Sequence, residues 1–381
     1  MTQTYDVIVV GAGPAGATLA YELAKKGIRV LLLEKEKLPR YKCCAGGITT
    51  RATRLLDFDI SEAVEDVVYE VSISYNFGNP YTGHHNQPLI YTVMRDAFDY
   101  LLVKRAQQFG AVLIDGQEVT QIQTNADWVE ISTADSLFHS RVVAGADGAY
   151  SIVARESGMS RNIKYMAALE SEVIVPEEEL AKRKSRVELD LGCIPGGYAW
   201  VFPKRNHLSI GAGCLASKAK DLNRRYQEFL DSLGISNYTI ARTGSHLIPI
   251  CGTRAIVSQD KTLLLGDAAG LADPLTGEGI CHAIQSAQLA APVIENSLLQ
   301  GKIELQDYQQ AVDEKIMSEL GIARTLSRIF VRFPHLVFRM LKPDGRAWRG
   351  YCSLLRGEVN YATIKENLGG FRGIFALLSR M

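Results

Sequence analysis

The chain has 381 residues, 47% of them apolar, with 42 basic and 42 acidic side chains. That is ample apolar material for two lobes, and the charge balance gives no support to a general nucleic-acid role. No apolar run reaches the ~20 residues of a spanning helix, and no signal peptide is recognisable ahead of the first strand. Seven cysteines (43, 44, 193, 214, 251, 281 and 352) lack paired metal spacing, so reduced thiols in a cytoplasmic protein are expected.

Tyr5–Val10 is a buried-strand run that leads directly into Gly11-Ala12-Gly13-Pro14-Ala15-Gly16. Ala15–Lys26 follows as a helix, with Leu19 and Leu23 one turn apart and Gly27 to close it. Arg29–Leu33 is a second strand ending at Glu34. A lone GxGxxG is weak evidence, but here it sits inside a complete βαβ unit with an acid about 20 residues on. Gly11 permits the turn, Gly13 lets backbone approach a pyrophosphate, and Gly16 lets helix and strand pack closely. The helix N-terminus offers N–H groups to phosphates, and Glu34 can accept from an adenosine ribose.

Lys35–Ile48 is basic and glycine-rich, and Thr49–Leu56 reads as a helix. Residues 69–93 alternate like strands. Arg95–Phe109 is expected as a helix with Phe98, Leu101, Leu102 and Ala106 on one side. Ala111–Ile114 and Glu118–Ile122 read as strands, Trp128–Thr133 with Phe138–Val142 as a hairpin, and Val142–Ala146 as a further strand. Residues 165–260 change character. Strand-like Glu170–Val175, Arg186–Cys193, Tyr198–Phe202 and Leu208–Cys214 are interrupted by a charged helix, Lys218–Leu233. Thr262–Leu265 returns to a buried strand, Gly279–Leu299 to helix, and residues 304–381 are largely helical.

A second glycine-rich segment, Gly266–Ile280, carries Asp267 at its mouth. A nicotinamide enzyme needs only the first segment, whereas a flavin is anchored at both ends of a long molecule, so the pair points to FAD. The expected fold is α/β: a Rossmann-like FAD-binding domain (1–68, 94–164 and 261–303), an inserted antiparallel-sheet substrate domain (69–93 and 165–260), and a helical C-terminal region.

Between the glycine segments lies Asp147-Gly148-Ala149-Tyr150-Ser151-Ile152-Val153-Ala154-Arg155, a DGxxSxxR pattern after a strand. Alone it reads first as an N-capped helix after a turn. Together the three elements, covering about residues 5–290, resemble the fingerprints of the para-hydroxybenzoate hydroxylase superfamily of FAD enzymes. The resemblance implies that Asp267 bonds the ribityl chain, that backbone at Gly279 and Ile280 meets the isoalloxazine ring, and that Arg95 lies near the pyrophosphate. It extends the cofactor set to Ala15, Arg40, Cys44, Ala45, Gly47, Val119, Asp147 and Gly277. Glycines ahead of a helix also allow a flat ring to approach.

Two further stretches divide that superfamily. Arg40–Ile48 carries Cys44, and Tyr198-Ala199-Trp200-Val201-Phe202-Pro203-Lys204 has a YxWxFPK form. Both resemble the geranylgeranyl reductase family, which saturates isoprenoid double bonds in chlorophyll precursors, geranylgeranyl diphosphate or archaeal ether lipids. The family's K-P-C-G-G is altered here, with Cys43 in place of the proline and Ala45 in place of the first glycine. The implied activity is FAD-dependent reduction of prenyl C=C bonds, with NADPH or a ferredoxin-like protein as electron donor.

Cys44 has two readings, an inert packed thiol or a thiol over the flavin that polarises the alkene or supplies its proton. The stripe Tyr198, Trp200 and Phe202 is either core or an apolar wall for a prenyl chain, with Lys204 beyond it facing a polar head. Arg324, Arg328 and Arg332, followed by Arg339, Lys342, Arg346 and Arg349, form either a solvated basic face or a peripheral contact with anionic lipid. A flavin monooxygenase on an aromatic or apolar substrate is the main rival. A halogenase lacks its usual WxWxIP stretch here, and a non-catalytic flavoprotein or lipid carrier is a different class again.

Overall fold

A computed structural model describes residues 3–159 and 161–367. The chain divides into two compact units. The first comprises residues up to Tyr41, Asp96–Lys164 and Ile248–Gly321, and the second Lys42–Arg95, Tyr165–Leu247 and the chain from Ile322 onward.

The first unit is built on parallel strands. Gln3–Val10 pairs with Val30–Glu34 on one side and Leu137–Gly145 on the other, and Val112–Asp115 and Thr262–Leu264 extend the sheet. Val7, Ile8 and Val9 are fully buried, as a strand covered on both faces should be. The expected hairpin is present, Val129–Thr133 against Leu137–Gly145. Its second strand runs on unbroken through Val142–Ala144, so the separate strand expected there is the same element. Apolar pairing to Gln3–Val10 continues to Gly145 and leaves no reason to stop. Helices Pro14–Ala24 and Ile280–Leu299 belong to this unit. Gln306–Val312 is tied in by Tyr308, whose buried hydroxyl donates to the Leu264 carbonyl at 2.7 Å.

A seven-stranded sheet runs in the order Thr239–Ala255, Arg161–Ile174, Leu208–Leu215, Gly197–Pro203, Arg186–Leu191, Glu70–Tyr75, Tyr81–His84. From Arg161–Ile174 to Tyr81–His84 neighbouring strands are antiparallel, except for the parallel pair of Arg186–Leu191 with Glu70–Tyr75. A three-stranded sheet, Gly47–Thr49, Ile90–Val93 and Val64–Val68, accompanies it. Its two faces differ. Val173, Ala199, Val201, Leu208, Ile210 and Ala212 pack against Tyr226, Phe229 and Leu230 of helix Leu222–Ser232. The opposite face carries Tyr198, Trp200 and Phe202.

Several boundaries depart from expectation. Residues 42–68 and the helices after Gly321 group with the second unit. Aromatic contacts explain the latter: Phe338 stacks on Tyr81 with ring centroids 4.8 Å apart, and Phe330 meets Tyr198 edge-on at 6.4 Å. The helix expected at Thr49–Leu56 is only Thr50–Thr53, a single turn capped by the Thr49 side chain, in a threonine-rich stretch of weak helix formers. The charged helix starts at Leu222, because Ala216–Asp221 forms a 3-10 turn ahead of it. Thr239–Ala255, a 17-residue strand, carries Gly244 and Pro249 and does not alternate. It lies at the sheet edge, where proline is tolerated. Residues 368–381, part of the expected helical region, lie outside the described residues.

Tyr308→Phe should lower stability by about 1–3 kcal/mol, because the buried Leu264 carbonyl loses its hydroxyl donor. The check is a lower thermal midpoint at unchanged flavin content.

Candidate functional site

In the first unit the three sequence fingerprints converge. Gly11 has φ +101°, and a β-carbon there would strike the Ala146 carbonyl and stand 2.9 Å from the Asp147 Cα. A β-carbon at Gly16 would collide with the Gly11 carbonyl. Gly266 packs against both helices, its β-carbon position lying 3.3 Å from the Ala15 Cβ and 3.1 Å from the Ala283 Cβ. The two glycine segments therefore meet although some 250 residues separate them.

The acid Glu34 braces this turn. It is buried, and its two oxygens accept from the Ala12 N–H at 2.8 Å and the Glu36 N–H at 3.2 Å. A carboxylate has about four acceptor sites, so capacity remains for a ribose hydroxyl. Arg40 lies 3.8 Å from Glu34 and donates to Asp99 at 2.8 Å. Asp99 is fully buried on helix Arg95–Gln108, and no sequence pattern singled it out.

Asp147 accepts from the Ile152 and Val153 N–H groups at 2.7 and 3.3 Å, and Ser151 caps the same short helix through Ala154 at 3.0 Å. The capping reading of this stretch thus describes real geometry. The other Asp147 oxygen is buried with no donor in the protein among the described residues, and burial pushes this carboxyl above its usual range. Val119 is buried on the strand Val119–Thr124.

At the second glycine segment, a β-carbon on Gly279 would stand 3.2 Å from Asp267 Oδ1. Asp273, another residue the sequence did not single out, is buried and shapes this loop. It accepts from Leu275 at 2.7 Å and Thr276 at 3.1 Å, and its carbonyl accepts from Gly277 at 2.9 Å. Ile280 then opens the helix, with Gly279 at its N-cap.

These residues fit FAD. Helices Pro14–Ala24 and Ile280–Leu299 both begin at a glycine with no side-chain cap, leaving first-turn N–H groups for an anion or a ring carbonyl. Gly13 faces open space, with only Arg40 Nη2 4.0 Å from where its β-carbon would be. The uncommitted Asp147 oxygen adds a waiting acceptor.

The second unit holds the other half of the sequence-predicted set. The two stretches that set this sequence apart, the Cys44 loop and the aromatic strand, form one structure. Cys44 N–H donates to Glu170 Oε1 at 3.2 Å, and Lys204 Nζ donates to the Ala45 carbonyl at 2.7 Å and the Val93 carbonyl at 2.8 Å. Gly46 N–H donates to Cys44 Sγ at 3.4 Å, and the Gly46 carbonyl accepts from Val93 at 2.8 Å. Gly46 sits at φ +63°, with no room for a side chain between the Val93 carbonyl and Lys204. Gly47 lies against the Phe202 ring, 2.6 Å from its β-carbon position to Cε1.

Lys204 therefore differs from expectation. It is 2% exposed, and its ammonium faces the Ala45 and Val93 carbonyls rather than a substrate head group. Burial pulls its pKa down, against the neighbouring charges of Glu170 and Glu172. The aromatic residues share one face as expected. In cross-strand register, Glu170, Gly211 and Trp200 form one row and Glu172, Ser209 and Phe202 the next. A β-carbon at Gly211 would collide with the Trp200 indole, so the missing side chain is what lets the ring lie across that strand. Tyr198 meets Trp200 at 5.7 Å between centroids.

Glu170 is 1% exposed, and burial, reinforced by the Glu172 charge, raises its pKa to about 7. Lys204 and the Cys44 N–H oppose that shift. Glu172 meets His207 Nε2 at 2.8 Å. Cys43 is pushed up to about 12, first by burial and then by the Glu170 charge. Arg95 is buried in this unit, and burial with the charges of Lys42 and Arg95 holds His246 down at about 4. Among the described residues, no group of three His, Cys, Asp or Glu could hold a metal, and no helix is long and apolar enough to cross a membrane.

Residues 4–206 match the family model for an FAD binding domain. The chain belongs to that family. It is 34% identical over 326 residues to an uncharacterized protein of Methanosarcina barkeri, covering 86% of this chain and 84% of the relative. It is 29% identical to digeranylgeranylglycerophospholipid reductase 1 of Methanococcoides burtonii, over 81% of this chain and 80% of that protein. A solved geranylgeranyl bacteriochlorophyll reductase-like protein from Thermoplasma acidophilum shares the fold at 22% identity, with a TM-score of 0.80 over 90% of this chain and 92% of that one. The flavin-dependent brominase Bmp2 shares it too, at 20% identity and a TM-score of 0.77 over 93% of this chain and 94% of that one. The chain is thus an FAD-dependent oxidoreductase whose curated relatives include geranylgeranyl reductases.

Gly16→Val should abolish FAD retention, seen as a colourless purified protein, since no side chain fits beside the Gly11 carbonyl. Glu170 holds its proton more tightly in the folded chain than in the unfolded one, where its value is 4.5. Its contribution to stability is therefore full below about 4.5 and lost as pH rises through about 7. Urea unfolding at about pH 5 and about pH 8 should show that loss in the native chain and not in Glu170→Gln.

Proposed function

We propose that the protein saturates C=C bonds of a prenyl chain, geranylgeranyl or similar. The observation that carries this reading is the joining of the Cys44 loop to the aromatic strand through Lys204 and Phe202. The two stretches that distinguish this sequence from hydroxylases and halogenases of the same fold are one structural device.

An isolated alkene is a poor hydride acceptor, and reduction needs a hydride on one carbon and a proton on the other. Reduced FAD supplies the hydride. The chain must supply the proton, orient the alkene and keep water out. Cys44 is the side chain proposed to polarise or protonate the second carbon. Tyr198, Trp200 and Phe202 are the proposed apolar wall, on the sheet face that helix Leu222–Ser232 does not cover. The glycine turn, Glu34 and Arg40, together with Asp147, Asp267, Gly277, Gly279 and Ile280, are the proposed cofactor contacts. The sequence offers one dinucleotide motif, so NADPH would visit the flavin without a domain of its own, and a ferredoxin-like donor serves equally.

Peripheral contact with anionic lipid through the arginine-rich C-terminal helices suits such a substrate. Part of that charge is already engaged, with Lys342 over the Tyr81 ring at 5.2 Å and Arg349 on the Asp344 carbonyl at 2.8 Å. Co-sedimentation with anionic vesicles at low salt tests it, and absence of binding rejects it.

The decisive experiment is anaerobic. Reduced holoprotein should be reoxidised by a geranylgeranyl substrate, with product mass rising by two hydrogens per bond reduced. Oxygen consumption coupled to hydroxylation would instead make the protein a monooxygenase. Cys44→Ala should keep FAD yet lose about 100-fold or more in alkene reduction, the scale of a lost general acid. Unchanged turnover would leave Cys44 as packing.

A further inference from the structure

We propose that Glu170 is a positioning residue for this reduction: working opposite Lys204, its buried carboxyl group fixes the backbone of the Cys44 loop and, through it, the thiol. The proposal rests on the prenyl reductase reading for its chemistry, and on the second unit alone for its geometry.

The loop from Cys44 to Gly46 is short, and four of its polar groups have assigned partners. Cys44 N–H goes to Glu170, the Ala45 carbonyl to Lys204, Gly46 N–H to the Cys44 sulfur and the Gly46 carbonyl to Val93. The sulfur is thus folded back onto its own loop by an N–H two residues on. Its position follows from the backbone, and the backbone is set from the N-terminal side by one carboxyl group. Burying a carboxyl and an ammonium costs several kcal/mol unless both are well partnered, so this pair is an expensive way to hold three residues. What a carboxyl adds is a hydrogen bond to the Cys44 N–H that strengthens when it ionises.

The groups facing Glu170 define when that happens. Cys43 and Cys44 approach from the loop, Glu172 from its own strand, Lys204 from the end of the aromatic strand and His207 from the turn beyond it through Glu172, while Tyr226 of helix Leu222–Ser232 acts across the sheet from its other face. Burial and Glu172 hold the Glu170 proton into the neutral range, at about 7, against the pull of Lys204. The hold on the loop tightens as pH rises through that range.

The test uses FAD-loaded native protein, Glu170→Gln, which keeps an acceptor oxygen without titrating, and Glu170→Leu, which removes it. Flavin absorbance and thermal midpoint establish that each variant is folded. Anaerobic reoxidation of the reduced flavin by geranylgeranyl diphosphate is followed from about pH 5.5 to about pH 9. The native rate should carry a limb near neutrality that Glu170→Gln lacks, and Glu170→Leu should be slower by about tenfold at every pH. Independently of turnover, hydrogen exchange at the Cys44 amide should quicken by about tenfold in Glu170→Leu relative to the native protein. A native pH profile in Glu170→Gln, or native exchange in Glu170→Leu, overturns the proposal. If geranylgeranyl diphosphate reoxidises none of the three proteins, the prenyl reading falls, and the exchange measurement alone decides the role of Glu170 in holding the loop.

Discussion

A charge that has lost its water must find oxygen inside the protein, and Lys204 is where this constraint is most severe. Its ammonium is buried at the end of the aromatic strand and takes its oxygens from Ala45 and Val93. Neither carbonyl is local, since they come from 159 and 111 residues away in the chain. The strand Gly197–Pro203, the strand Ile90–Val93 and the Cys44 loop are therefore locked to one another by a single side chain. Removing either carbonyl contact would strand a buried cation, a cost several times that of an ordinary lost hydrogen bond. Glu170 completes the arrangement from the loop's other end.

Much of the first unit could be read from the chain because its constraints leave a local pattern of glycines and apolar residues. Gly11 and Gly16 are required by a turn in which a side chain would strike backbone within a few residues or on the next strand. The strand, turn, helix and strand that enclose them repeat the same apolar logic. Asp99 and Asp273 were not legible for the converse reason. Each is an acid without a pattern, and its meaning comes from a partner, Arg40 in one case and a loop of N–H groups in the other. Lys204 is visible in the chain, but its surroundings are not. A lysine just past an apolar strand looks like a charge on its way to water, and only the fold reveals that water is absent there. The edge strand Thr239–Ala255 was missed because an edge tolerates the glycine and proline that argue against a strand elsewhere.

The aromatic stripe shows how far alternation goes and where it stops. A period of two says that Tyr198, Trp200 and Phe202 share a face, and nothing about which face is core. The neighbouring strand decides it. Leu208–Leu215 presents Ile210 and Ala212 to the helix side, and Ser209, Gly211 and Gly213 to the aromatic side. The bulk is supplied by Trp200, whose indole fills the gap left at Gly211. One strand contributes rings, the next contributes emptiness, and the third contributes Glu170 and Glu172 in the same two rows.

That face combines two properties that ordinarily exclude each other. An apolar wall is dry, and a dry surface penalises carboxyl groups. Here the acids sit at one end of the rows and the rings at the other, so the dryness that suits a prenyl chain is also what lifts Glu170 into the neutral range. The proposed reaction needs both, since water near the alkene would compete for its intermediates and a proton must still arrive. A sheet can meet the two demands together because its register places side chains from different strands in one line, while its pleat keeps them on one face. The same chemistry arranged on a single helix would put acid and ring within a turn of each other, and the acid would wet the wall.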